Sequence, residues 1–115
     1  MRIVEVAELL KAEICTQSYS TDIDIKSACS ADLMSDVMAF SKESAILLTG
    51  LVNPQVIRTA EMMDIKVVIF VRGKKPQHSM VELAEEKGIV LLATNYPLFI
   101  ASGKLYESGI HGCGE

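Results

Sequence analysis

The sequence predicts an α/β fold, a three-layer α/β/α domain on a mainly parallel sheet. Three observations carry this reading. Short apolar runs alternate with amphipathic segments, and parallel strands need a crossover, usually a helix, between them. The pattern repeats as LLTGLVNP (Leu47 to Pro54), IFVRGKKP (Ile69 to Pro76) and LLATNYP (Leu91 to Pro97), so that the three prolines recur at 22 and 21 residues. Each proline follows a Gly- or Asn-bearing turn, as expected where the first turn of a helix tolerates a fixed φ and a missing N–H.

The elements follow in order. Val4 to Glu13 carries apolar residues at 4, 6, 7, 9 and 10 with charges between them, the period of an amphipathic helix. Ile14 to Gln17 reads as a short strand and Ser18 to Asp24 as a polar turn. Ile23 and Ile25 alternate with charges and open a strand reaching about Ala28. Ser30 or Asp32 is placed to cap a helix from Leu33 to Phe40. The repeating part predicts strands Ala45 to Leu48, Val67 to Val71 and Ile89 to Ala93. Between and after them come helices Pro54 to Met63, Gln77 to Lys87 and Tyr96 to Glu107. Gly88 stands where a helix commonly ends in a left-handed residue. The expected domain is 1–109, with 110–115 (IHGCGE) a flexible, glycine-rich tail.

Composition narrows the function. A chain of 115 residues, 50% hydrophobic and 23% charged, makes one globular domain. A net charge of −4 argues against a nucleic-acid footprint, which needs a basic face. No apolar stretch approaches the roughly 20 residues of a membrane span. MRIVEVAELLKAE acquires acidic residues too early for a secretory leader. Three cysteines with no C-x-x-C pair favour free thiols in a reducing compartment, so the expected location is cytoplasmic.

In a parallel sheet the turns Thr49-Gly50, Arg72-Gly73 and Thr94-Asn95 cluster at the C-terminal edge of the strands, where open α/β sheets place ligands. Two readings stand there. Either backbone N–H groups and these side chains receive an anion, or the residues serve as turn formers and caps. No GxGxxG or GxxxxGK[ST] accompanies them, so neither a phosphate loop nor a cofactor is assigned. Asp32, Ser35 and Asp36, with Ser30, form a polar cluster on the neighbouring helix. Asp32 and Asp36, four apart, share a helix face, where they serve a ligand hydroxyl or amine, a weak metal site, or a cap followed by a solvated acid. Arg72, Lys74 and Lys75 are a local basic spot that reads as solvated. Cys15 and Cys29 read as small buried side chains. His111 and Cys113 are two ligands at most, too few for a tetrahedral metal site, and no metal is assigned. His78 has no base or nucleophile partner in the sequence, so catalysis is not expected.

The ordered pattern resembles the DRTGG domain, a family similar to the N-terminal domain of HPr kinase/phosphorylase. The resemblance spans most of the chain, from Ile3 to Gly109. It rests on ADLMSDVM (Ala31 to Met38), Ile69 to Pro76 with VELAEEKGIVLLAT (Val81 to Thr94), and FIASGKLYESGI. The family's Thr-Gly-Gly aligns with Val71-Arg72-Gly73, so Gly73 alone is kept; the Asp-Arg pair falls near Val52-Asn53 and is absent. The stand-alone form of this domain often accompanies iron-only hydrogenase genes. The resemblance therefore implies a non-catalytic, homodimeric regulatory module that senses a nucleotide or small anionic ligand. It also implies a hydrogenase-related protein partner. An apolar excess at Met34, Met38, Met62 and Met63 is consistent with a dimer interface. The alternative is a docking module without a small-molecule ligand.

Overall fold

The structure, a computed structural model, describes residues 1–17, 23–40 and 45–113. Eleven elements follow the chain: α1 (Ile3–Leu10), β1 (Glu13–Ile14), β2 (Ser27–Ser30), α2 (Met34–Phe40), β3 (Ala45–Thr49), α3 (Pro54–Met62), β4 (Val67–Phe70), α4 (His78–Lys87), β5 (Val90–Ala93), α5 (Leu98–Glu107) and β6 (His111–Gly112). The six strands form one sheet in the order β1-β5-β4-β3-β2-β6. All neighbours are parallel except β1, which runs antiparallel to β5. The expected α/β fold with a mostly parallel sheet is what the chain adopts.

The strands read as continuous apolar runs because both sheet faces are covered. β3, β4 and β5 are buried along their whole length. Alternation divides them between two cores. Ile46, Leu48, Ile69 and Leu92 pack with Val6, Leu10 and Leu105 of α1 and α5. Leu47, Val68, Phe70 and Leu91 pack with Val37, Ile57 and Met80 of α2, α3 and α4.

Crossover handedness explains this division. The connections β2–β3, β3–β4 and β4–β5 step in one direction across the sheet, so right-handed crossovers put α2, α3 and α4 on one face. The chain must then travel from β5 back past three strands, β4, β3 and β2, to reach β6, and the same handedness puts α5 on the opposite face. α4 and α5 leave the neighbouring strands β4 and β5 toward opposite faces. That divergence is the topological switch point of an open α/β sheet, the usual place for a ligand crevice.

Several expectations are corrected. The proline pattern serves three different positions. Pro54 opens α3 after Asn53, whose side chain accepts from the Gln55 N–H at 3.0 Å. Pro97 is the residue just before α5, and Pro76 precedes α4 by two. β2 begins at Ser27 rather than Ile23, because Ile25 instead bonds to the Met1 carbonyl through its N–H. Part of the predicted tail is ordered: Ile110 is buried, and His111–Gly112 pairs with β2 as an edge strand. Most of the turn predicted over Ser18 to Asp24, and the last two residues of the tail, lie outside the described residues. Gly88 ends α4 at φ 72°, as expected. No helix among the described residues is long and apolar enough to cross a membrane.

Candidate functional site

The register sets the carboxyl ends of the parallel strands flush. Ser30 pairs with Leu48, Thr49 with Phe70, and Phe70 with Ala93. The three turns singled out in the sequence therefore stand side by side on one edge, but their local chemistry differs.

The turn after β3 is closed on itself. Asp32 lies in the loop before α2 rather than on the helix. Its Oδ1 accepts from the Thr49 hydroxyl at 3.1 Å and from the Gly50 N–H at 2.7 Å. The Thr49 hydroxyl in turn accepts from the Leu51 N–H at 3.1 Å. Lys74 reaches over from the β4 turn and donates through Nζ to the Gly50 carbonyl at 2.9 Å. Thr49 is fully buried. The carboxylate thus fills the place an anion would take at this turn.

The turns after β4 and β5 interlock through the backbone. Arg72 and Gly73 both adopt positive φ, 62° and 72°. The Gly73 N–H donates to the Thr94 carbonyl and the Arg72 N–H to the Tyr96 carbonyl, both at 2.9 Å. A β-carbon on Gly73 would meet Asn95 Oδ1 at 3.1 Å, so a side chain here adds a tight contact to the strain of left-handed backbone. The Thr94 hydroxyl is buried, donates to the Leu10 carbonyl at 2.6 Å and accepts from the Tyr96 N–H at 3.2 Å. It fastens β5 to the end of α1.

Two adjoining pockets open here, the first between the two turns and the start of β1, the second between the β5 turn and the end of α1. One of about 130 Å³ is lined by Lys11, Glu13, Gly73, Lys75, Ala93 and Asn95. The other, of about 170 Å³, is lined by Leu10, Lys11, Thr94, Asn95 and Tyr96. Lys11 and Asn95 belong to both. Lys75 pairs with Glu13 at 3.2 Å, and Lys104 lies over the Tyr96 ring, 5.1 Å from its centroid. Cationic side chains thus gather at the switch point between β4 and β5.

Of the nine residues drawn from the sequence, Gly73, Thr94 and Asn95 line these pockets, while Arg72 stands in the adjoining turn and lines neither. Thr49, Gly50 and Asp32 form the closed neighbour. Ser35 and Asp36 are exposed in the first turn of α2, and neither lines these pockets. Lys11 was not foreseen. It ends α1 in a left-handed conformation, φ 50°, and the antiparallel β1 starts at the carboxyl end of β5. The signal in the sequence was a helix running straight into a short strand, read there as Ile14 to Gln17 and observed as Glu13–Ile14, and such a junction carries no strand direction. Cys15 and Cys29 are half-buried, less than expected. Burial, foremost, pushes both thiols up from their ordinary range. Among the described residues no group of three or more His, Cys, Asp or Glu side chains is arranged to hold a metal ion.

No family model and no curated protein matches the chain. Its structure is similar to the CBS and DRTGG domains of the regulatory region of Clostridium perfringens pyrophosphatase, solved with the activator diadenosine tetraphosphate. The TM-score is 0.76 at 18% identity, covering 98% of this chain and 51% of that one. The chain spans about half the length of that solved structure. At this identity the likeness shows the fold, a DRTGG-like α/β domain.

Proposed function

We propose that the chain is a non-catalytic regulatory module that binds the phosphate portion of a nucleotide, or another small anion, in the crevice between the β4 and β5 turns. One observation carries this: Lys11, Lys75, Asn95 and Gly73, with Glu13 paired to Lys75, line adjoining pockets at the switch point of the sheet. The turn N–H groups of Gly50, Arg72 and Gly73 are bonded within the protein, so the reading rests on cationic side chains rather than on a backbone cradle. Pockets of this size suit a phosphate or pyrophosphate group, since whole drug-sized ligands fill roughly 300–1,000 Å³. The nucleotide activator of the pyrophosphatase regulatory region supports a ligand of the same class. Titration with inorganic pyrophosphate and a dinucleoside polyphosphate, followed by melting temperature, tests it. A ligand at a hundred times its Kd stabilises the native state by about 2.7 kcal/mol. No shift at millimolar ligand would sink the proposal.

A second reading, a docking module or homodimer, is favoured by α5. Phe99 is 85% and Tyr106 65% exposed, and both border an open apolar groove of about 490 Å³. The methionines contribute less to such a surface, since Met34 is a core residue, whereas Met38 and Met62 remain exposed. Sedimentation of the chain alone separates a homodimer from a surface for another protein, such as the hydrogenase-related partner the resemblance implies. A monomer at all concentrations leaves only the latter.

A further inference from the structure

We propose that Cys29 and Cys113 are a redox-active pair, able to close a reversible disulfide that clasps β6 onto β2. The pairing of these two parallel strands carries the argument. Ser27 is opposite His111 and Ala28 opposite Gly112. The Cys113 N–H donates to the Ala28 carbonyl at 3.2 Å, so the same register continues and sets Cys113 beside Cys29. Residues directly opposed in neighbouring strands point to the same face and stand about 4.8 Å apart. That lies inside the window of roughly 4.4–6.8 Å between α-carbons that a disulfide spans. Cys113 also figures, after burial, among the causes that push the Cys29 thiol up, as a close neighbour would.

Three features make the pair suited to switching rather than to permanent bridging. Both side chains are half-buried, so a small oxidant reaches them. β6 is a two-residue strand at the edge of the sheet, and bringing the two β-carbons to the roughly 3.5–4.5 Å of a disulfide takes only a small shift. A bridge closed with some strain is readily reduced again. Closure would fasten the floor of an apolar cavity of about 120 Å³, to which Ala28, Ile110 and Gly112 contribute. It would also link residues separated by most of the chain, which restricts the unfolded state.

The chemistry balances with a low-molecular-weight disulfide as oxidant. One cysteine thiolate attacks a sulfur of the reagent, forming a mixed disulfide and expelling one thiolate. The second cysteine then attacks the protein sulfur, forming the Cys29–Cys113 bond and expelling the other. Two protein thiols are oxidised, the reagent is reduced to two thiols, and the cysteine protons pass to the expelled sulfurs.

The test uses the full chain, reduced and then incubated with glutathione disulfide. The expected result is a mass about 2 Da lower, one remaining thiol out of three, and a non-reducing peptide map joining Cys29 to Cys113. Dithiothreitol should restore all thiols. The oxidised chain should melt several degrees higher than the reduced one, in wild type and in Cys15→Ser alike, with no such difference in Cys113→Ser. Retention of every thiol, a stable glutathione adduct, a bridge that includes Cys15, or a disulfide between two chains would each overturn the proposal. Since the mass and peptide map are read on the wild-type chain, a variant that fails to fold does not blur the outcome.

Discussion

The β3 turn and the β4–β5 crevice start from the same kind of sequence, an apolar strand followed by a Gly- or Asn-bearing turn, yet they end with opposite character. At β3 the carboxylate of Asp32 satisfies Thr49 and Gly50, and Lys74 closes the far side. At β4 and β5 the backbone is equally well satisfied, but the side chains that arrive are Lys11, Lys75 and Asn95, and they border open pockets. The difference lies in the neighbours. β3 is flanked by β2, whose exit loop brings an acid. β5 is flanked by β1, whose antiparallel start brings a lysine. A turn motif therefore sets backbone geometry, while the adjoining strand decides whether the turn is sealed or left open to a ligand.

Four variants test this contrast, from the strongest effect to the weakest. Thr94→Val leaves the Leu10 carbonyl and the Tyr96 N–H without their buried partner. It should destabilise the fold by about 2–3 kcal/mol in chemical denaturation. A loss below about 0.5 kcal/mol would mean that the hydroxyl does not fasten β5 to α1. Gly73→Ala forces a β-carbon into left-handed backbone and against Asn95. Strain of about 1–2 kcal/mol is expected, with pyrophosphate binding weakened as the crevice deforms.

Lys11→Ala combined with Lys75→Ala should leave the melting temperature within a degree or two of wild type, since the Lys75–Glu13 pair is exposed and worth little. Affinity for pyrophosphate should nevertheless fall about tenfold, equivalent to about 1.4 kcal/mol. Unchanged affinity in a titration calorimeter would move the site elsewhere. Gly50→Ala is the counterpart of Gly73→Ala. The nearest atoms to its β-carbon would be those of Asp32 and Lys74, at 3.6–3.7 Å, in ordinary backbone. Stability should stay within about 0.5 kcal/mol. Equal damage at both glycines would erase the distinction between the turns.

Much of the fold was legible because its signals are local. Pro54 after Asn53 marks the start of α3, Gly88 marks the end of α4, and the apolar runs at 45–48, 67–71 and 89–93 fall within a residue or two of β3, β4 and β5. The errors fall where a distant partner decides. Ile25 is held by the Met1 backbone rather than by a strand, and residues 110–113 look like a glycine-rich tail until β2 offers them an edge. Asp32 is a good helix cap by residue type, yet the β3 turn lies close enough to take its carboxylate.

The sequence by itself determined that alternating apolar runs and helices would build a parallel sheet covered on both faces, with its loops gathered at one edge. Periodicity and turn chemistry act over a few residues and can be read along the chain. Tertiary structure alone decided that α5 crosses to the face opposite α4, that Lys11 arrives beside Asn95, and that Cys113 comes to rest next to Cys29. Those outcomes depend on strand order, strand direction and crossover handedness, which join residues up to the length of the domain apart and leave no mark on the local pattern.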